Sequence, residues 1–450
     1  MNHRFTRDQP NWGITPVPER LRVLSGLDLT LLWGSLGVSL LVIVAGALLV
    51  PALSLPQAFV AILVGGVIGN AMLGAAGMIG ADARVPAMVL MRAPLGRGGS
   101  YLATALNVGQ CLGWAIFELI IIATAAAALS DRAFGFEARW AWTILFGAVT
   151  VALALVGPVG VVRRFLRRFG VWIVLASLLY LTWWALDGAD LGRLWDAPAQ
   201  GGSSLWEGID LVVALTVTWI PLAPDYTRFA RERTAAYVGT AVGYFIPTLW
   251  MWGLGAVLVL SRGLDDPAAL PAAVAAAGIG SALALLAVTV DEADEAFANA
   301  YSAAVSTQNV LTAVPQRALV VASCAAATVG ALAIDLGSYL SFLVLLGSFF
   351  VPLFGVLLGD WLVTGARYRE VDVFAAPSVR PGPLVAWLVG FALYQWLSPQ
   401  GPAWWIDVVE RTDPPDLGIG ASLPSFAVAL GLGAAASYVA RRARPASVPA

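Results

Sequence analysis

Trp33-Gly34-Ser35-Leu36-Gly37-Val38-Ser39 lies in the middle of an apolar block that runs over residues 27–50. Two glycines and two serines at mid-block interrupt what would otherwise be a plain spanning helix, and predict a break there. A second apolar block, 206–224, carries Thr216, Thr218, Trp219, Pro221 and Pro224. Pro221 removes a backbone donor and clashes with the preceding turn, which predicts a second break. The two blocks are the first and sixth of twelve. In a five-plus-five repeat they fall at corresponding positions, and five spans invert the second half relative to the first. Interrupted helices at matching positions of two halves point to a binding site near the bilayer midplane, with Gly34 and Ser35 as candidate substrate contacts. The plainer alternative, glycines for close packing and prolines for kinks, stays open for either block alone.

The remaining blocks are about 57–80, 100–129, 140–157, 169–187, 235–260, 270–310, 317–334, 337–364, 383–398 and 421–440. Most are about 20 residues long, the length of a membrane span. The composition agrees: 59% of the 450 residues are hydrophobic, 12% are charged, and mean hydropathy is +0.80. A soluble chain carries roughly twice that charge. Short alternating segments, the mark of an outer-membrane barrel, are missing. The expected fold is therefore an all-α integral membrane protein of twelve helices, with helices 1 and 6 broken. Its parts are an N-terminal segment 1–26, a first inverted repeat 27–187, a second 206–364, two further helices over 383–440, and a tail 441–450.

Arginine placement tests the count. The chain has no lysine, and 21 of its 26 arginines fall in alternate loops, with five in the others. This split puts both termini in the cytoplasm of a multi-pass protein of the inner or plasma membrane. Asp187, Asp190, Asp196, Asp407, Glu410, Asp413 and Asp416 mark the opposite loops, and tryptophans gather near block ends as an interfacial belt would. Residues 1–26 are polar and the first block is too long for a cleavable leader, so none is expected. A net charge of -2 gives no case for nucleic acid as a partner. The lone histidine is His3, and the two cysteines, Cys111 and Cys324, are far apart, so no metal motif, disulfide framework or cofactor is expected.

Five acids stand inside apolar blocks. In block three, Trp114 and Glu118 are four apart and share a helix face, and Glu118 precedes the apolar run Leu119 to Leu129. A carboxylate at that depth is costly unless it is paired, protonated or facing water, so Glu118 is a candidate ligand group. Beside it, Trp114 becomes a stacking platform for a flat ring. Block eight holds Asp291, Glu292, Asp294 and Glu295 within five residues. Asp291, Glu295, Asn299, Ser302, Ser306 and Asn309 follow helical steps and form one polar stripe, with Asp294 and Tyr301 on the adjacent one. Crowded carboxylates must take up protons or hold a cation. The alternative is an exposed helix end, with the span beginning later.

The chain resembles the nucleobase–cation symporters of the purine–cytosine permease type over about residues 14–440. The similar stretches are Pro16-Val17-Pro18-Glu19-Arg20, Gly96-Arg97-Gly98-Gly99-Ser100, Pro224-Asp225-Tyr226-Thr227-Arg228-Phe229 and Asn299-Ala300-Tyr301-Ser302-Ala303-Ala304, the last like the cytosine and hydroxymethylpyrimidine branches. The resemblance implies two inverted five-helix repeats plus two helices. It implies that a heterocycle is sandwiched by Trp114 and Trp219, with Glu118 in place of the family's usual amide and Asn299 as the helix-eight asparagine. It places the coupling cation between Gly34 and Gly37 of helix one and Asp294 and Glu295 of helix eight, where sodium-coupled members have hydroxyls. Either sodium at Gly34, Gly37, Asp294 and Glu295 or a proton on these acids, Asp291 included, is then the coupling ion.

The expected function is uptake of a small planar nitrogen heterocycle, such as cytosine, a purine, a related pyrimidine or a hydantoin, driven by sodium or protons through alternating access in the lipid bilayer. An amino-acid symporter of the same fold is the second reading, and Glu118 argues against it because the substrate is itself a carboxylate. A membrane-embedded enzyme lacks a spanning histidine, a metal motif and a soluble catalytic segment. A channel lacks a repeated filter-like segment.

Overall fold

The computed structural model describes residues 13–156, 171–263, 273–274, 278–291, 293–334, 339–415 and 418–442. Ser25 opens the first helix, α1 (Gly26–Ser35): its hydroxyl accepts from the Asp28 amide while the Asp28 carboxylate accepts from the Ser25 amide. α1 stops at the glycine–serine stretch, and α2 (Leu40–Ala47) restarts at 64° to it. Ser39 makes the restart, since its hydroxyl accepts from the Leu41 amide at 3.1 Å. The long α3 (Leu55–Ala83) follows, then the short turns α4 (Ala87–Leu90) and α5 (Arg92–Leu95). Next come α6 (Gly99–Phe134), α7 (Arg139–Val156), α8 (Val171–Leu186) and the short α9 (Leu191–Asp196).

The second half repeats the opening pattern. α10 (Leu205–Val217) begins at another serine capping box, Ser204 with Glu207, and ends before the prolines. Residues 218–222 wind as successive three-residue turns, such as the Trp219 amide to the Thr216 carbonyl at 3.2 Å and the Ile220 amide to the Val217 carbonyl at 3.0 Å. α11 (Ala223–Thr227) resumes, and the long α12 (Arg233–Arg262) follows. Block eight carries α13 (Ile279–Asp291) and α14 (Ala293–Thr307), with Glu292 between them outside the described residues. α15 (Gln316–Ala333), α16 (Tyr339–Val363), α17 (Glu370–Phe374), α18 (Pro381–Leu397), α19 (Ala403–Glu410) and α20 (Ser422–Arg442) complete the chain. Each of the twelve apolar blocks thus coincides with a helix or a helix pair. Among the described residues, seven helices are long and apolar enough to cross a membrane singly, and eight if α1 and α2 count as one bent span. The basic segment Arg163–Arg168, the N-terminal Arg4 and Arg7, and the tail from 443 lie outside the described residues.

Packing divides the helices into groups. α1/α2, α3, α10/α11 and α12 interlock through glycines, and α6, α7, α14 and α15 form a second group. α16, α18 and α20 pack on one another. In the first group helix backbones nearly touch. A Cβ on Gly239 would lie 2.6 Å from the Gly26 carbonyl, one on Gly243 2.8 Å from that of Thr30, and one on Gly255 would overlap the Ile43 carbonyl. Small residues permit this approach where lipid supplies no hydrophobic drive between helices. In the third group, Arg380 pairs with the buried Asp360 at 2.7 Å, and the Tyr368 hydroxyl donates to the same carboxylate at 2.7 Å. Burial first, and the Asp360 charge next, push the Tyr368 phenol well above its ordinary range, so it remains a donor.

The close glycine contacts yield a paired prediction. Gly255→Ala overpacks the α2–α12 contact and is expected to cost about 1–3 kcal/mol. Gly109→Ala, with nothing within 4 Å of the added carbon, is expected to be neutral or to stabilise α6 by up to about 1 kcal/mol. Thermal unfolding of the two variants in detergent reads the contrast.

Candidate functional site

The face of α6 that carries Asn107, Gln110, Trp114 and Glu118 looks toward both α14 and the break in helix six. Gln110 Nε2 donates to the Thr218 carbonyl at 3.0 Å and to Asn107 Oδ1 at 2.9 Å. Asn107 Nδ2 in turn donates to Ser306 Oγ at 2.8 Å. An amide side chain from one helix group therefore meets a backbone carbonyl exposed by the break in the other. Trp219 follows that carbonyl directly, and Trp114 lies one helical turn from Gln110. Trp219 is 6% exposed and meets Trp33 edge-on at 5.9 Å and Tyr244 at 5.9 Å. Trp114 is 7% exposed and meets Phe342 of α16 edge-on at 5.7 Å.

Glu118 and Asn299, placed in different blocks by the sequence, come together. Asn299 Nδ2 donates to Glu118 Oε1 at 2.9 Å, and both side chains are buried, at 1% and 0% exposure. Asn299 also donates to the Glu295 carbonyl at 3.2 Å. A buried carboxylate needs such partners, because transfer from water costs several kcal/mol per ion (order of magnitude).

The polar stripe of block eight is buried along its described length. Glu295, Asn299, Ser302, Ser306 and Asn309 are all inside the protein, so for these residues the exposed-helix-end alternative does not hold. Asn309 Nδ2 donates to Ser100 Oγ at 3.0 Å and Thr104 Oγ1 at 2.8 Å, and its carbonyl oxygen Oδ1 accepts from Arg92. The side chains of Asp291 and Asp294, and the whole of Glu292, lie outside the described residues. Gly34 and Gly37 turn their Cα hydrogens toward α12, where a Cβ would meet the Gly243 carbonyl and the Pro247 ring. Gly34 and Ser35 also border a cavity of about 170 Å3 shared with α8 and α12, a different place from the Glu118–Asn299 pair. Among the described residues, no group of three His, Cys, Asp or Glu side chains is arranged to hold a metal ion.

The segment Pro224–Phe229 has a role that its sequence did not disclose. Tyr226 OH donates to the Ala298 carbonyl of α14 at 2.9 Å, and Arg228 Nη2 donates to Tyr301 OH at 2.9 Å. Arg228 also donates to the Gly13 carbonyl at 2.9 Å, and Asp225 accepts from the Ala87 amide at 2.8 Å. These bonds latch the end of helix six to α14 on the arginine-rich side of the candidate site. Phe342 and Trp33, the ring neighbours of the two tryptophans, were likewise unmarked, since a lone aromatic in an apolar helix carries no signal.

The fold is that of a secondary transporter, with two broken helices in one helix group and a second group packed beside them. The chain belongs to the permease family for cytosine/purines, uracil, thiamine and allantoin, whose pattern matches residues 16–398. No curated protein matches it by sequence. Among solved structures it is similar to Mhp1, a nucleobase-cation-symport-1 family transporter, in a closed conformation with bromovinylhydantoin bound. Identity there is 20%, coverage is 96% of each chain, and the TM-score is 0.81. The inward-facing form of Mhp1 matches at 20% identity over 96% of this chain and 94% of that one, with TM-score 0.75. A Na+-coupled sialic acid symporter in a substrate-bound outward-open state matches at 10% identity over 98% and 93%, with TM-score 0.62. These likenesses show that the chain shares the all-helical fold of these transporters.

Tyr301→Phe removes one bond of the helix-six latch. At about 1 kcal/mol for a net hydrogen bond, separation of the two groups on that side should become roughly five times more frequent. A cysteine at Ser302 reacting with maleimide reads this, against a low background because Cys111 and Cys324 are both buried. Equal labelling rates with and without Tyr301→Phe would remove the latch role.

Proposed function

We propose that this permease takes up a small planar nitrogen heterocycle, a nucleobase or a related pyrimidine or hydantoin, together with sodium or a proton. The observation that carries the reading is the buried Glu118–Asn299 pair between α6 and α14, one helical turn from Trp114. A carboxylate accepts and an amide both donates and accepts, so the pair can read a ring edge that presents N–H donors beside a carbonyl. In this reading the ring stacks between Trp114 and Trp219, and Gly34 and Ser35 contribute backbone once rocking brings the break in helix one from its cavity beside α8 and α12 toward the ring. An amino-acid substrate would set its own carboxylate against Glu118.

Coupling is assigned to the gap between the helix-one break at Gly34 and Gly37 and the acids Asp291, Asp294 and Glu295 of helix eight. Oxygen donors of this kind suit sodium, and a carboxylate in an apolar block equally suits a proton. The cation favours one conformation of the two helix groups, and rocking of one against the other carries the ring across. The arginine distribution supports cytoplasmic termini and a plasma or inner membrane location.

Uptake of labelled cytosine, purines, hydantoins and hydroxymethylpyrimidine into vesicles, under imposed sodium or proton gradients, tests substrate and ion together. Absence of uptake for every heterocycle would overturn the proposal. Trp114→Ala is expected to weaken binding about tenfold or more, since stacking of a base on an aromatic ring is worth about 1–3 kcal/mol. Glu118→Gln should alter the order of preference among heterocycles according to their N–H donors, and an unchanged order measured by equilibrium binding would remove Glu118 from the site.

A further inference from the structure

At the arginine-rich ends of α3, α12 and α16 lies a basin of about 620 Å3 that the transport site does not use. Arg22, Arg84, Arg231, Arg233, Arg367 and Arg369 line it. The lining acids are half as many, Asp82, Glu232 and Glu370. Asp82 stands 3.8 Å from Arg233 and 3.6 Å from Arg367, and its Oδ2 already accepts from the Tyr368 amide. Arg84 is 3.9 Å from Glu370 and 3.8 Å from Glu19. Among the described arginines that line the basin, Arg22 on Glu19, at 3.0 Å, and Arg369 on Asp372, at 3.5 Å, reach hydrogen-bond distance to a carboxylate. The long pairs of Arg84 with the exposed Glu19 and Glu370 contribute little, whereas the buried Asp82 holds part of the charge of Arg233 and Arg367. Arg22 also donates to the Ala230 carbonyl at 2.8 Å and Arg233 to the Ala366 carbonyl at 3.2 Å, so the donor forks that suit the oxygens of a phosphate are chiefly those of Arg84, Arg231 and Arg367.

The rim of the basin is apolar. Arg233 rests over the Trp361 ring at 5.5 Å, and the next residue, Leu362, is 52% exposed at the end of α16. α17 begins at Glu370 in the basin wall and carries Val371 and Phe374, 52% and 42% exposed. A free phosphate would have no use for this apolar rim, whereas a lipid uses both parts. Basic pockets between spanning helices at the membrane surface take anionic headgroups.

We propose that this basin binds the headgroup phosphate of an anionic phospholipid from the adjoining leaflet, with its acyl chains along Leu362, Val371 and Phe374. The lipid bridges α3 and α12 of the first helix group to the α16–α17 segment. The test is native mass spectrometry of the full chain in detergent with phosphatidylglycerol and phosphatidylcholine at equal concentration. Phosphatidylglycerol should be retained about tenfold over phosphatidylcholine, since each basic side chain near an anionic surface contributes several-fold. The triple variant Arg231→Ala, Arg367→Ala, Arg369→Ala should retain the two lipids equally, with an unchanged melting temperature in phosphatidylcholine. If the triple variant is unfolded, Arg367→Gln alone is read, with a partial loss of selectivity expected. Equal retention of both lipids by the native chain, undiminished selectivity in the folded variant, or displacement of phosphatidylglycerol by millimolar inorganic phosphate would each overturn the proposal.

Discussion

Within a bilayer every backbone N–H and C=O must find a partner in the protein, because no water is at hand to supply one. This constraint governs the two broken helices, and through them the rest of the structure. The break in helix one is closed by the Val38 amide on the Ser35 carbonyl and by Ser39 capping α2. The break in helix six is closed by tight turns over 218–222 and by Gln110, which takes the Thr218 carbonyl. Irregular backbone of this kind survives only inside protein, so α3 and α12 must wrap it. They can do so closely because glycines replace side chains where Gly239 and Gly243 face α1. Gln110 likewise draws α6 against the break, and the rest of its polar face, with Trp114 and Glu118, comes with it.

The buried polar groups then sort by distance from this junction. Asn299 donates to Glu118 near the break, whereas Asn309, Ser100, Thr104 and Arg92 form a separate network further toward the arginine-rich side. Between them, Arg228 and Tyr301 tie the end of helix six to α14. The two helix groups are thus tied by directed bonds as well as by apolar contact. Hydrogen bonds can be exchanged one by one as groups rock, which a close-packed interface cannot do at small cost.

Much of the architecture was legible in the chain because membrane solvent writes strong patterns. Apolar blocks gave the helices, serines and prolines marked both breaks, and arginines gave a consistent alternation. Glu118 and the helix-eight stripe stood out since a polar side chain in an apolar block needs a reason. Their pairing was not legible: nothing in either block says that residue 118 meets residue 299, because that contact depends on how α6 and α14 cross. Arg228 and Tyr301 were visible as residues of similar motifs, but a motif names no partner. Trp33 and Phe342 are apolar aromatics among many, and only packing distinguishes them.

The bond from Asn299 to Glu118 has a further consequence for recognition. The carboxylate already holds an amide donor of the protein's own on Oε1, so a ring edge that donates to that same oxygen enters an exchange in which one donor replaces another. The gain is then a difference between two similar bonds and not the whole of one. Affinity at such a place is limited by the internal competitor, and ligands are ranked by how much better they donate than a side-chain amide. An occupant that is easily replaced is also easily restored, which favours release as much as capture. For a carrier that must let go of its cargo on every cycle, a self-satisfied site spares it a deep energetic trap.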